Sequence, residues 1–233
     1  MPLPLPVINP QARISGFTVG HTPSNIIVID DVFRNAGAIE AYGRREAVYV
    51  PPAGTAYPGL NAPLPQDFMA PLADALRPLI ERAYQVPPGQ KLACHGYFGL
   101  VTLPPDRLSA IQSVPHVDNV GPRRLAVLVY LCGEDQGGTG YYRHRATGLE
   151  RLTGDNITAY TAAVAAETED GVTPGYAVGD HALFERIGVT EARFNRLVVY
   201  NCNLLHSGQV DGAKLSPDPA KGRLTLNLFI GEP

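Results

Sequence analysis

The rhythm of apolar and polar positions changes near residue 90. Before it, the clearest pattern is helical. In QDFMAPLADALRPLIERAYQ the residues Phe68, Leu72, Leu76, Leu79, Ile80 and Ala83 recur at three- and four-residue steps and share one face. Asp67 is the expected N-cap, and Pro78 should kink the helix. A second helix is expected in DVFRNAGAIEAYGRREA, capped by Asn35 and carrying Ile39 and Tyr42. Ahead of it, NIIVID is a short apolar run of the kind that makes a buried strand. Residues 1–24 read as an extended, proline-punctuated arm. Residues 49–65 read as a loop whose prolines and glycines exclude a helix or a central strand.

From residue 91 onward the pattern is that of strands. KLACHGYFGLVTL, RRLAVLVYL, TGYYRHRATG, NITAYTA, HALFERI, RLVVYNC and RLTLNLFIG are short β-branched or aromatic runs separated by turn residues. Such a series predicts a mostly β protein (α+β by its helices) with a double-stranded β-helix core, a cupin-like jelly roll braced on one face by the N-terminal helices. The chain is expected to form one domain over 1–233, with the arm at 1–24, the strand and supporting helices at 25–90, and the jelly-roll core at 91–233. At 233 residues it is long enough for such a unit.

Composition narrows the function classes. Hydrophobic residues make up 45% and charged residues 18%, as in ordinary globular proteins, and 24 glycines with 22 prolines suit many turns. A net charge of -3 leaves no footprint for nucleic acid. The local clusters PRR and YYRHR suit a small anion better than a phosphate backbone. Three dispersed cysteines lack a C-x-x-C spacing, which argues against a disulfide framework and for a reducing compartment. Cys94 and Cys202 read as small core residues. No apolar run is long enough to span a membrane, and MPLPLPVINP lacks the charged start of a signal peptide. Cytoplasm is the expected location. No P-loop, G-x-S-x-G or H-E-x-x-H motif is present.

The candidate chemistry begins at SVPHVDNVGP. In an extended segment His116 and Asp118 project to the same side and would bind one metal together. Alone, the pair reads equally well as an Asx-type turn before GPRR. His206, in NCNLLHSGQV at the end of a predicted strand, is the third candidate, far enough along for several strands to fold it back beside the pair. A packed strand-end histidine is the alternative. Two histidines and one carboxylate on one face of a metal leave open positions for a co-substrate and O2, the arrangement of non-haem Fe(II) oxygenases. Further on, RLTLNLFIG alternates cleanly. Leu224, Leu226, Leu228 and Ile230 share one face, and Arg223, Thr225 and Asn227 share the other. Arg223 and Thr225 would then clasp a carboxylate by a charge-assisted pair and a hydroxyl hydrogen bond, unless Arg223 pairs with a surface acid. In YYRHR, Tyr142 and His144 share one face and Arg143 the other. Tyr142, Arg143 and His144 are candidate substrate contacts, whereas His21, His95 and His181 read as structural.

The order HVD, LLHSG, GRLT resembles the Fe(II)/2-oxoglutarate-dependent dioxygenases, and within them the prolyl-hydroxylase-like branch. NIIVIDDVF, GGTGYYRHRATG and GDHALFERI resemble, in turn, their opening strand and helix, the Gly-Gly strand after the His-x-Asp strand, and the strand before the distal histidine. With YPG and PHVD, these runs look like a bacterial group of that branch, over roughly residues 25–231. The resemblance implies His116, Asp118 and His206 as iron ligands. It implies Arg223, assisted by Thr225, as the anchor of 2-oxoglutarate, with Tyr97 or Tyr130 hydrogen-bonding it. The gap from His206 to Arg223 is longer than usual, and Lys214 and Lys221, in an inserted loop, are rival anchors. Fe(II), 2-oxoglutarate and O2 are the implied cofactors and co-substrates. The implied reaction is hydroxylation of an amino-acid-derived, peptidyl or small natural-product substrate. The same residues admit two alternatives: a non-catalytic jelly-roll module that binds a ligand or partner, and an iron oxygenase that does without 2-oxoglutarate.

Overall fold

The structure, a computed structural model, describes residues 1–52, 57–169, 171 and 173–232. Its strands are β1 (Arg13–Val19), β2 (Ser24–Asp30), β3 (Gly59–Pro63), β4 (Ala93–Val101), β5 (Arg124–Tyr130), β6 (Thr139–His144), β7 (Phe184–Thr190), β8 (Arg196–Asn201), β9 (His206–Gly208) and β10 (Arg223–Gly231). The described residues also form the α-helices α1 (Ala36–Arg45), α2 (Gln66–Tyr84) and α3 (Ile157–Glu167) and several short 3₁₀ turns. The fold is mostly β, and its strands pair antiparallel. A seven-stranded sheet has the order β1-β2-β8-β5-β10-β4-β3, and a three-stranded sheet the order β7-β6-β9. Among the described residues no helix is long and apolar enough to cross a membrane.

The large sheet uses its two faces differently. One carries Ile27, Ile29, Val127, Val129, Leu197, Val199 and the four apolar residues of β10, packed against Ile39 of α1 and Phe68, Leu72, Leu76 and Ile80 of α2. The helices therefore brace this face, as their periodicity predicts. The other face carries Ile26, Val28, Ala126, Val198 and Tyr200, which meet Tyr141 of the small sheet. Where that second core ends, across β5, β10 and β4, the two sheets leave a cavity of about 800 Å3.

Several local expectations change. β1 lies inside the residues expected to be an extended arm. It pairs along its whole length with β2, yet six of its seven residues are exposed, so no alternation marks it in sequence. β3 lies inside the expected loop, but at the sheet edge, where a strand ending at Pro63 loses no ladder bond. NITAYTA is helical, not a strand: it opens α3, which the alanine-rich run 162–166 continues. Neither expected cap acts through its side chain. Pro65 precedes α2 with Asp67 in the first turn. Asn35 instead fastens the N-terminal arm, accepting from Val7 N at 3.0 Å and donating to Leu5 O at 2.8 Å. Pro71 and Pro78 lie inside α2 without ending it.

Candidate metal and co-substrate site

A short 3₁₀ turn, Ala110–Ser113, feeds the ligand segment and is closed by a reciprocal Ser109–Gln112 capping box. Val114 before Pro115 is extended, as a residue preceding proline favours. His116 then forms an isolated antiparallel bridge with His206, each donating its N–H to the other's carbonyl at 2.9 Å. Two residues on, Asp118 N–H donates to Cys202 O at 2.9 Å. The i, i+2 pair is thus laced to the segment that ends β8 and begins β9. The turn reading is also realised, one residue later: Asn119 Oδ1 accepts from Gly121 N at 2.7 Å.

This lacing gathers three side chains. The donor atoms of His116, Asp118 and His206 all lie within 4.8 Å of one another, and among the described residues they are the set of three placed to hold a metal. His116 Nε2 stands 3.8 Å from Asp118 Oδ1, and His206 Nε2 stands 3.4 Å from Asp118 Oδ2. His206 Nδ1 lies 2.9 Å from Leu204 O. A carbonyl only accepts, so Nδ1 carries the proton and Nε2 turns its lone pair to the cluster. The Tyr200 ring packs edge-on to His206 at 4.8 Å between centroids.

Burial sets the protonation. His206 is held down to about 4 by burial. His116 also falls to about 4, from burial first and the neighbouring His206 second. Half of its side-chain surface, 51%, is still exposed where it lines the cavity. Asp118 is raised to about 6, because burial outweighs the attraction of His116 and His95. At neutral pH the cluster is two neutral imidazoles and a carboxylate, a donor set suited to a divalent cation.

On the same cavity wall, β10 presents Arg223, Thr225, Asn227 and Phe229, the face opposite its four apolar residues. Arg223 is buried. Its Nε donates to Gln136 O at 3.0 Å and its Nη2 to Gly138 O at 3.2 Å, and its guanidinium stands 5.8 Å from the Tyr130 ring centre. No carboxylate lies within 4.0 Å of it among the described residues. Thr225 Oγ1 accepts from Asn227 Nδ2 at 3.1 Å. Tyr57, beside Thr225 and Arg223, and Tyr176 close this end, where Gly99 leaves the room: a Cβ there would stand 2.5 Å from Tyr57 Oη. Lys214 and Lys221 are exposed and outside the cavity; Lys214 Nζ donates to Asp135 O at 3.1 Å.

The other predicted residues separate. Tyr97 lines the cavity, 6.0 Å from Phe229 between ring centroids. Tyr130 lies behind the wall. Its hydroxyl is 2.7 Å from Thr139 Oγ1, and burial pushes it up to about 12. Tyr142, Arg143 and His144 do not line the cavity, and each is engaged elsewhere. Tyr142 donates to Ala177 O and accepts from Gln209, Arg143 binds Glu150 and Glu185, and His144 contacts Thr147 and Glu167. His95, expected to be structural, is exposed into the cavity, and Cys94 is half-buried. Tyr176 and Arg124 are cavity residues that the sequence reading did not single out, and Tyr57 entered it only within YPG. For Arg124 a signal existed in PRR.

Residues 10–230 match a family model described as "Family of unknown function (DUF6445)". No curated protein matches. Among solved structures, similar chains include HygX from Streptomyces hygroscopicus with nickel, 2-oxoglutarate and hygromycin B bound (14% identity, 89% of this chain and 82% of that chain, TM-score 0.46). EvdO2 from Micromonospora carbonacea var. aurantiaca is another (14%, 89% and 86%, TM-score 0.48). The non-heme alpha ketoglutarate dependent epimerase SnoN from nogalamycin biosynthesis is a third (13%, 89% and 78%, TM-score 0.44). Each score is below 0.5, so these likenesses are weak.

Proposed function

The chain belongs to DUF6445, a family described as of unknown function, and we propose that it is a non-haem Fe(II) enzyme that uses 2-oxoglutarate and O2 to hydroxylate its substrate. One observation carries the reading: a buried arginine with no acid beside it among the described residues shares a cavity with a His-Asp-His cluster whose donor atoms converge. Both features fit their groups. Two neutral nitrogens and one carboxylate oxygen suit Fe(II), and one face of the cluster is open to the cavity. A buried guanidinium and a neighbouring hydroxyl suit a fixed carboxylate.

In this reading His116, Asp118 and His206 hold the iron, and the Leu204 carbonyl fixes the His206 tautomer. Arg223 and Thr225 take the far carboxylate of 2-oxoglutarate, with Tyr57 and Asn227 ordering the hydroxyl. Iron bound with 2-oxoglutarate would supply the activation of O2. The chain's own part is to position both reactants and to exclude bulk water from the Arg223 end. We read the paired sheets as a jelly roll forming one domain, and the protein as prolyl-hydroxylase-like. The substrate is amino-acid-derived, peptidyl or a small natural product. Three free cysteines fit the cytoplasm.

The test is anaerobic addition of Fe(II), then 2-oxoglutarate, followed by visible absorption. A charge-transfer band on the second addition is expected, and succinate on admitting air. Neither signal, with a correctly folded protein, would sink the oxygenase reading. Iron binding without the band would favour an oxygenase that does not use 2-oxoglutarate.

A further inference from the structure

Arg124 is a second arginine of the cavity, at the opposite end from Arg223. It opens β5 and points to the same side as Ala126 and Leu128. Its carbonyl accepts from Cys202 N at 2.8 Å, and the Cys202 carbonyl accepts from Asp118 N at 2.9 Å, so the backbones of Arg124 and Asp118 are joined through Cys202. The ladder orders the cavity. Arg223 reaches Gly138, next to Thr139, which pairs Gly208; Tyr141 then pairs His206, and beyond His206 come Asp118, Cys202 and Arg124. On β10, Arg223 and Phe229 are six residues of strand apart, about 20 Å. The cluster therefore stands between two arginines.

Three observations describe the Arg124 end. Opposite Arg124 the ladder places Gly231, and a Cβ there would lie 2.8 Å from Arg124 Cγ, so the glycine lets the arginine stem cross β10. Among the described residues, every other arginine that is not exposed donates a side-chain hydrogen bond, whereas Arg124 makes neither a side-chain hydrogen bond nor an ion pair. Beside it, the His95 ring stacks on Phe229 at 5.1 Å between centroids and 21° between planes, with Tyr97 next in the row. His95 is held below its usual value by burial first and the Arg124 charge second, against the opposing pull of the Asp118 carboxylate. A half-buried, unanswered guanidinium beside an aromatic shelf is the chemistry that receives an organic carboxylate.

We propose that Arg124 and the His95–Phe229 stack form the substrate subsite, and that the substrate is a small acid with a planar or apolar body. Calling its ligand the substrate rests on the oxygenase reading; the carboxylate subsite itself does not. The test uses phenylacetate and phenylacetamide, matched in shape and different in charge, with ligand-observed NMR on the full chain without metal. The wild type is expected to bind the acid at least about tenfold more tightly than the amide. Arg124→Gln removes that preference and Arg124→Lys restores part of it, while both keep the Fe(II)–2-oxoglutarate band. Arg223→Gln keeps the preference and moves the half-saturation of the band to higher 2-oxoglutarate. The subsite is overturned by absent phenylacetate binding, by equal binding of acid and amide, by a preference that survives Arg124→Gln, or by loss of the 2-oxoglutarate band in Arg124→Gln. An acid preference that depends on Arg124, found in a protein with no such band, would support the subsite while removing the oxygenase reading.

Discussion

Two clusters of histidine and carboxylate are anchored on the small sheet, and they differ in what is left unanswered. On β6, His144 is wholly buried. Its Nδ1 lies 2.9 Å from Thr147 Oγ1 and its Nε2 2.7 Å from Glu167 Oε2, with the Tyr160 and Phe184 rings against it. Beside it Arg143 is shared by Glu150 at 2.6 Å and Glu185 at 2.8 Å. On β9, His206 commits only Nδ1, and its Nε2 converges with His116 and Asp118 at the cavity. Proximity of histidine and acid is common to both. Spare coordinating atoms and an open approach belong to one, and those decide between a ligand set and a structural knot.

The largest effect that separates them is metal affinity. His206→Ala is expected to weaken binding of Fe(II), or of Ni(II) as a redox-stable stand-in, by more than about 100-fold, since even residues that merely orient metal ligands are typically worth 10- to 100-fold. His144→Ala should leave metal affinity within a few-fold and lower the thermal midpoint instead. Calorimetric titration with a parallel melting curve reads both. Comparable metal loss in the two variants would erase the distinction.

Next in size is the contrast between Arg143, paired with two acids, and Arg223, which meets none among the described residues. Arg223→Gln should weaken 2-oxoglutarate about 10- to 100-fold, the range for hydrogen bonds to a charged group. Lys214→Gln, on the exposed loop, should change it less than about twofold. The half-saturation of the charge-transfer band measures this, and a larger loss from Lys214→Gln would move the anchor to the loop.

How much of this was legible beforehand follows from which signals are local. The β10 alternation is local, and it placed Arg223 and Thr225 on the face opposite the leucines, where the structure has them. Six of the seven runs named as strands after residue 91 are strands because their β-branched and aromatic residues meet a core face. NITAYTA misled because the window stopped before the alanines that extend α3. β1 sends only Val19 into a core, so it shows no alternation. The YYRHR expectation failed for a deeper reason. Alternation tells which residues share a side, but not that the small sheet turns Tyr142 and His144 toward their own core with Phe184 and Tyr160. Arg124 and His95 needed the pairing of β5, β10 and β4, strands far apart in the chain, before their shared wall existed.

The smallest effect probes the closed cluster by pH. Burial alone would raise Glu150, but the N–H groups of His21 and Thr22 and the Arg143 guanidinium reverse it, leaving its carboxyl below the usual range, the opposite of Asp118. Gly20, at φ +85°, makes room for this contact, since a Cβ there would stand 2.1 Å from Glu150 Oε2. A carboxyl with a depressed folded pKa contributes stability that is complete above its unfolded value, about 4.3, and is lost as pH falls through the folded one. Glu150→Gln keeps the shape and removes the charge, so it should cost about 2 kcal/mol at neutral pH. A protonated glutamic acid resembles glutamine in charge, so the gap between wild type and variant should narrow as pH falls below about 4.3. Urea midpoints across that range measure it. A gap that stays constant down to about pH 3 would mean that shape, and not the Arg143–Glu150 charge pair, holds the closed cluster together.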